Sequence, residues 1–123
     1  MINQKQPFID RATTFSIRIF RLVDILPSSR SYWVIIDQLV RSATSIGANM
    51  VEAKAASSKK DYINFYNHAL KSANETVYWL FLLKELTNAP IDTIEALMEE
   101  SQQLAKVLAA SIITMKKNSR PNL

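Results

Sequence analysis

The sequence predicts an all-α protein, an antiparallel up-down-up-down bundle of four helices. Three observations carry this expectation. Apolar residues recur at steps of three and four along most of the chain, the spacing that lines one face of an α-helix. The four prolines, Pro7, Pro27, Pro90 and Pro121, stand only where such runs begin or end. No stretch alternates as a half-buried strand would. The 123 residues are expected to form one domain over 1–123, large enough to bury a core without staples. Short connections make successive helices antiparallel neighbours.

The first helix is expected at about 7–26. Phe8, Ala12, Phe15, Ile19, Leu22 and Leu26 step by four, three, four, three, four. Pro27-Ser28-Ser29 makes a turn, and Ser28 or Ser29 can cap the second helix, expected at about 30–56. There Ile36, Leu39, Ala43, Ile46, Met50 and Ala53 keep the same rhythm. Ala43 to Ala56 is rich in small residues, and Gly47 costs up to about 1 kcal/mol against Ala in a helix interior. A close helix contact is the expected offset.

The third helix is expected at about 59–86. Ser58-Lys59-Lys60-Asp61 fits an S/T-x-x-D/E capping box. Its core stripe is Tyr62, Phe65, Ala69, Ala73, Thr76, Leu80 and Leu83. A second apolar line, Ile63, Leu70, Val77 and Phe81, lies on another face, widened by Tyr66, Tyr78 and Trp79. A helix in a monomeric bundle needs one apolar face; two predict burial against a second subunit. Tyr78, Trp79 and Phe81 are the candidate interface residues. The fourth helix is expected at about 90–117, striped by Ile94, Leu97, Ser101, Leu104, Leu108, Ile112 and Met115. Its acids come first and Lys106, Lys116 and Lys117 later, which complements the helix dipole. The tail from Asn118 to Leu123 is expected to fray.

Composition narrows the function. With no Cys there is no zinc ribbon, disulfide or thiol nucleophile. One His cannot supply the paired Glu-x-x-His motifs of di-iron bundles. One Gly leaves no phosphate-cradling Gly-rich loop. The expectation is a protein without cofactor or metal, and not an enzyme. The longest apolar run, Val77 to Leu83, has seven residues, against the roughly 20 that a membrane span needs. The opening residues have no apolar signal-peptide segment, so no membrane and a cytoplasmic location are expected.

At the second and third helices a family resemblance emerges. Gln38-Leu39-Val40-Arg41-Ser42-Ala43-Thr44-Ser45-Ile46-Gly47-Ala48-Asn49 is followed by Glu52-Ala53. Ser58-Lys59-Lys60-Asp61-Tyr62, Leu70-Lys71 and Glu75-Thr76-Val77-Tyr78-Trp79-Leu80 come next. These segments resemble the four-helix-bundle family of the 23S rRNA intervening-sequence protein. The resemblance covers about residues 8 to 115 and is strongest from Gln38 to Leu86. It implies a small bacterial protein that assembles as a homopentamer. Some members are encoded within insertions in 23S rRNA genes, and a distantly similar group assists reverse transcriptases by binding RNA through a basic surface. The resemblance implies no enzymatic activity. The family usually has Glu after Leu70-Lys71; here the residue is Ser72.

Two constellations stand out as sites. Ser42, Ser45, Asn49 and Glu52 recur at three, four, three on one side of the second helix, and Glu75 with Lys71 and Tyr78 shares a side of the third. They are expected to form a polar seam that fixes helix register or a subunit contact; the other reading is a ligand or RNA site. The second set is basic: Arg11, Arg18 and Arg21 along one flank of the first helix, Lys54, Lys59 and Lys60 at the next turn but one, and Lys116, Lys117 and Arg120 near the end. The whole chain carries a formal charge of +4. By segment the excess is +3 for residues 1–56, +1 for 57–87 and zero for 88–123.

Repeated around a ring of copies, such a patch gains by releasing the counterions condensed on a nucleic acid. The candidate RNA-binding residues are therefore Arg11, Arg18, Arg21, Lys54, Lys59 and Lys60. The expected function is a homo-oligomeric scaffold or accessory protein able to bind structured RNA; the alternative is a scaffold for an acidic protein. His68 has no partner at metal or catalytic spacing, and the aromatic set is read as core and interface.

Overall fold

The computed structural model describes residues 7–118. They form α1 (Pro7–Asp24), α2 (Arg30–Lys54), α3 (Lys59–Leu86) and α4 (Ile91–Asn118), with no strand among the described residues. The expectations for Arg120 and Pro121, and for the tail beyond Asn118, lie outside the described residues.

The helix ends show how the turns are made. α1 stops two residues before Leu26. Ile25 and Leu26 donate their N–H groups to the carbonyls of Leu22 and Val23, each at 3.2 Å, a tightened last turn before Pro27. Ser29 is the extended residue that opens α2, but its side chain does not cap. Its Oγ lies 3.1 Å from Ser31 Oγ, and its carbonyl accepts from the N–H groups of Tyr32 and Trp33. α2 ends at Lys54 rather than Ala56, because Ala55 and Ala56 bond to carbonyls three residues back. α3 opens as the capping pattern predicts: Asp61 N–H donates to Ser58 Oγ at 3.1 Å. At its far end Thr87 Oγ1 donates to the Leu83 carbonyl at 2.7 Å and accepts from Ala89 N–H at 3.1 Å. One side chain thus closes α3 and starts the turn to α4.

The expected stripes supply the core. Ala12, Phe15, Ile19 and Leu22 of α1 are buried with Leu39, Ala43, Ile46 and Met50 of α2. Ala69, Ala73, Leu80 and Leu83 of α3 meet Ile94, Leu97, Leu104 and Leu108 of α4. Each fully buried large aliphatic or aromatic side chain contributes roughly 1.5–3 kcal/mol of transfer free energy. The ends of the first expected stripe, Phe8 and Leu26, are only half-buried, and three further places differ from a single stripe. In α2 it is Ile35 that is buried, with Ile36 half-buried, because α2 packs against both α1 and α3 and buries a wider arc. Tyr62 and Phe65 at the start of α3, and Met115 near the end of α4, are half-buried.

Each helix packs on two neighbours: α1 on α2 and α4, and α3 on α2 and α4. The α1–α4 side is the most lightly packed, and there Arg11 grips Glu100. Bonded pairs tie neighbouring helices together. Tyr32 Oη donates to the Leu86 carbonyl at 2.8 Å, Ser42 pairs with Thr76, and Ser45 pairs with Ser72. Between α1 and α2, Ser16 Oγ donates to the Ala43 carbonyl at 3.4 Å while Ala12 faces Gly47. Ser101 Oγ of α4 donates to the Ala73 carbonyl of α3 at 2.8 Å. A Cβ on Gly47 would lie 3.6 Å from Ala12 Cβ, an ordinary contact. Packing against α1 therefore does not require glycine there, contrary to the expectation from sequence.

Candidate functional site

Three groups of side chains bear on function: a polar seam between α2 and α3, the cations, and the aromatics left at the surface. The seam forms where the two helices face each other. Thr76 is fully buried and Ser42 nearly so. Thr76 Oγ1 lies 2.9 Å from Ser42 Oγ and 2.7 Å from the Ser72 carbonyl. Ser72 Oγ donates to Ser45 Oγ at 3.0 Å, and Asn49 Nδ2 donates to the same Ser45 Oγ at 2.9 Å and to its carbonyl at 2.8 Å. The result is a chain of hydroxyl and amide bonds that locks the register of the two helices.

Of the residues expected in the seam, Ser42, Ser45 and Asn49 are in it. Glu52 and Glu75 are exposed and outside it. Glu75 Oε2 instead accepts the indole N–H of Trp79 at 2.8 Å, one turn along α3. Ser72 and Thr76 complete the seam. By spacing alone Thr76 falls in the apolar stripe, and Ser72 stands out only for the acid it replaces. The missing signal is register: which residue of α3 faces Ser45 is not written in the spacing of either helix.

The cations separate into two groups. Arg11 is engaged: its Nε and Nη2 donate to the two carboxylate oxygens of Glu100 at 2.8 and 2.7 Å. Donating to Glu100 raises the guanidinium above its usual range. Arg18 and Arg21 flank a small cleft of about 220 Å³ with Leu22 of α1, Ile25 just after it, and Thr93 and Leu97 of α4. Lys54 ends α2 and Lys59 and Lys60 begin α3.

The α1–α2 register sets Arg18 opposite about position 41, so at 1.5 Å per residue it lies roughly 20 Å along the axis from Lys54. The six candidate cations are therefore not one patch. The end that holds Lys54, Lys59 and Lys60 gains Lys116 and Lys117 instead. The last turns of α4 border the first turns of α3, where Tyr62 and Tyr66 share a groove with Lys106, Thr114 and Met115. The acids on this end are Asp10, Glu52 and Asp61.

Lys59 and Lys60 are placed against the helix dipole. The first turn of α3 is the positive end of its macrodipole, where cations are disfavoured by some tenths of a kcal/mol and only Asp61 compensates. Lys54, Lys116 and Lys117 sit at helix C-termini, where they are favoured.

Of the expected interface residues, Tyr78 and Phe81 are exposed one turn apart on the outside of α3, and Trp79 turns toward the core. Trp79 is half-buried against the core edge, with Tyr78 edge-on at 5.3 Å and 55% exposed. Phe81 is 42% exposed beside Lys84, whose ammonium lies 5.7 Å from the ring centre. Larger apolar exposure lies elsewhere. Ile17 and Phe20 of α1 and Trp33, Val34 and Val51 of α2 are all exposed. Phe20 lies one turn from Ser16, which bonds to α2. Trp33 and Val40 continue the line of Gly47, which faces α1. These residues stand off the main stripes, so spacing gives no sign of them. His68 is exposed on α3. Among the described residues no three potential ligands converge to hold a metal ion, and no helix is long and apolar enough to cross a membrane.

The family model of the 23S rRNA-intervening sequence protein matches residues 4–110 of this chain, which takes in all of α1 to α3 and most of α4. The chain belongs to that family. Among solved structures it is similar to a protein of unknown function from the S23 ribosomal protein family of Bacteroides thetaiotaomicron VPI-5482. The two are 39% identical, the match covers 85% of this chain and 97% of the other, and the TM-score is 0.78. No curated protein matches the chain. The whole seam falls within the family match, as do Lys54, Lys59 and Lys60; Lys116 and Lys117 lie beyond it.

Proposed function

We propose that this protein is a cytoplasmic, cofactor-free homo-oligomer of antiparallel up-down-up-down four-helix bundles, which binds structured RNA through its lysine-rich end and catalyses no reaction. The observation that carries the reading is the placement of Lys59 and Lys60. They occupy the positive end of α3, at a local cost, and share that end with Lys54, Lys116 and Lys117. Such a cluster gains free energy from phosphates by counterion release. The family's association with 23S rRNA makes a structured RNA the partner of choice.

Oligomerisation rests on the unpartnered apolar surfaces. One flanks the α1–α2 line at Phe20 and Trp33, the other lies at Phe81 on α3 near α4. These are opposite sides of a four-cornered bundle. Two different surfaces suit a head-to-tail contact that closes into a ring, whereas a two-fold dimer uses one surface twice. The pentamer number rests on the resemblance to the family. In a ring each lysine end repeats, and weak phosphate contacts add through multivalency.

The test compares the two charge groups. Replacing Lys59 and Lys60 by Ala should weaken binding to a structured rRNA fragment. It should also flatten the slope of log affinity against log salt by roughly 0.7–0.9 for each phosphate left unneutralised. Replacing Arg18 and Arg21 should change it little. Equal affinity and slope in the Lys59/Lys60 variant would rule out the lysine end as the phosphate site. The cleft between Arg18 and Arg21, with its apolar floor of Leu22, Ile25 and Leu97, favours a second reading, an acidic protein partner. Recovery of a partner from nuclease-treated lysate that disappears when Arg18 and Arg21 are replaced would support that reading.

A further inference from the structure

Tyr62 and Tyr66 are out of place as core residues. Their rings stack with centroids 5.0 Å apart and planes inclined by 28°, yet both remain half-buried. They form one wall of an open groove of about 560 Å³ between α3 and α4, within the size range of small-ligand sites. α4 lines the other side with Lys106, Val107, Ala110, Ser111 and Thr114. Ser111 Oγ donates its hydrogen to the Val107 carbonyl at 2.8 Å, which leaves its lone pairs as acceptors. Tyr62 Oη donates to Tyr66 Oη at 3.4 Å, so Tyr66 keeps its own hydrogen to donate outward. Burial, the largest cause, raises the Tyr66 phenol well above its ordinary range and keeps it protonated.

We propose that this groove is a nucleobase site: an unpaired base of single-stranded RNA stacks against the Tyr62–Tyr66 pair while its phosphate meets Lys106. The proposal rests on the RNA reading above and deepens it, because phosphate contacts alone need no aromatic wall. Charge favours this occupant. Lys106 lines one end of the groove, and its other end, at Thr114 and Met115, directly precedes Lys116 and Lys117 in α4. A stacked aromatic pair beside cations is the arrangement by which proteins hold single strands without reading sequence.

The test uses two labelled RNA probes of equal phosphate number, a single-stranded oligoadenylate and a fully paired hairpin, titrated at two salt concentrations. Replacing Tyr62 and Tyr66 together by Leu keeps the apolar bulk and removes the stack. This variant should bind the single strand roughly 5- to 150-fold more weakly, as the loss of one stacked base implies, with its salt slope unchanged. The Tyr62→Phe, Tyr66→Phe variant keeps the rings and should bind within about threefold of the wild type. Unchanged single-strand affinity in the Leu pair overturns the proposal. So does a change of sedimentation mass in that variant, which would make a second copy of the chain the occupant. A wild type that binds the hairpin as tightly as the single strand leaves the phosphate reading standing and overturns the nucleobase site. A wild type that binds neither probe overturns both.

Discussion

Thr76→Val is the sharpest probe of the seam. Valine keeps the shape of threonine and removes only the hydroxyl. In the structure that hydroxyl is fully buried, 2.9 Å from Ser42 Oγ and 2.7 Å from the Ser72 carbonyl. Its loss orphans neither partner. Ser42 Oγ still has the Leu39 carbonyl at 3.2 Å, and the Ser72 carbonyl keeps its place in the helix ladder. The cost is therefore that of one net hydrogen bond, about 1 kcal/mol, and not the full penalty of a buried unsatisfied group. Ser42→Ala should cost a similar amount. The two together should cost clearly less than the sum, with a coupling of about 1 kcal/mol, because each single variant already removes the one bond they share.

Urea denaturation at one fixed protein concentration measures this. With a slope of about 2 kcal/mol per molar urea, the Thr76→Val midpoint should fall by roughly 0.5 M. Fixed concentration matters because self-association shifts apparent stability. Strictly additive single and double variants would contradict the shared bond and leave Ser42 and Thr76 as mere neighbours.

Other perturbations have simpler expected outcomes. Gly47→Ala should raise stability by up to about 1 kcal/mol, since the new Cβ would meet Ala12 at an ordinary 3.6 Å; a drop in the denaturation midpoint would show that glycine answers to a contact outside the monomer. Glu100→Gln should cost up to about 1 kcal/mol at low salt and less at high salt, because Arg11 is 42% exposed; a salt-independent cost would contradict an ion pair. Tyr66 has its phenol raised by burial and by Tyr62, so the folded state keeps this proton at a pH where the unfolded chain has lost it. The associated stability is complete below about pH 10 and is lost as pH rises through the folded value. Ultraviolet titration should show a late tyrosine ionisation that Tyr66→Phe removes; its persistence in the variant would contradict the assignment.

The helices are legible in the sequence because each buries a stripe at helical spacing, from Ala12–Leu22 in α1 to Ile94–Ile112 in α4. Ser58 is legible because a cap is local and shows in four residues. The ends of α1 and α2 are not. There the final turns tighten to bonds three residues back, and nothing in Ile25-Leu26 or Ala55-Ala56 forbids one more helical residue. Spacing places Ser42, Ser45 and Asn49 on one face, but Ser72 as their partner depends on how α3 slides along α2. The same limit splits the basic set. Arg18 and Lys54 carry the same charge in the sequence, and only the α1–α2 register shows the distance between them.

Binding of RNA phosphates by a repeated array of lysine-rich ends is the proposal on which the function turns. Fluorescence anisotropy of a structured rRNA fragment, titrated with the wild-type protein across a series of salt concentrations, measures it. A repeated array should give submicromolar binding at low salt and a linear fall of log affinity with log salt, steep enough to count several phosphates released per binding event. Absence of binding at low salt, or an affinity that salt leaves unchanged, would contradict it.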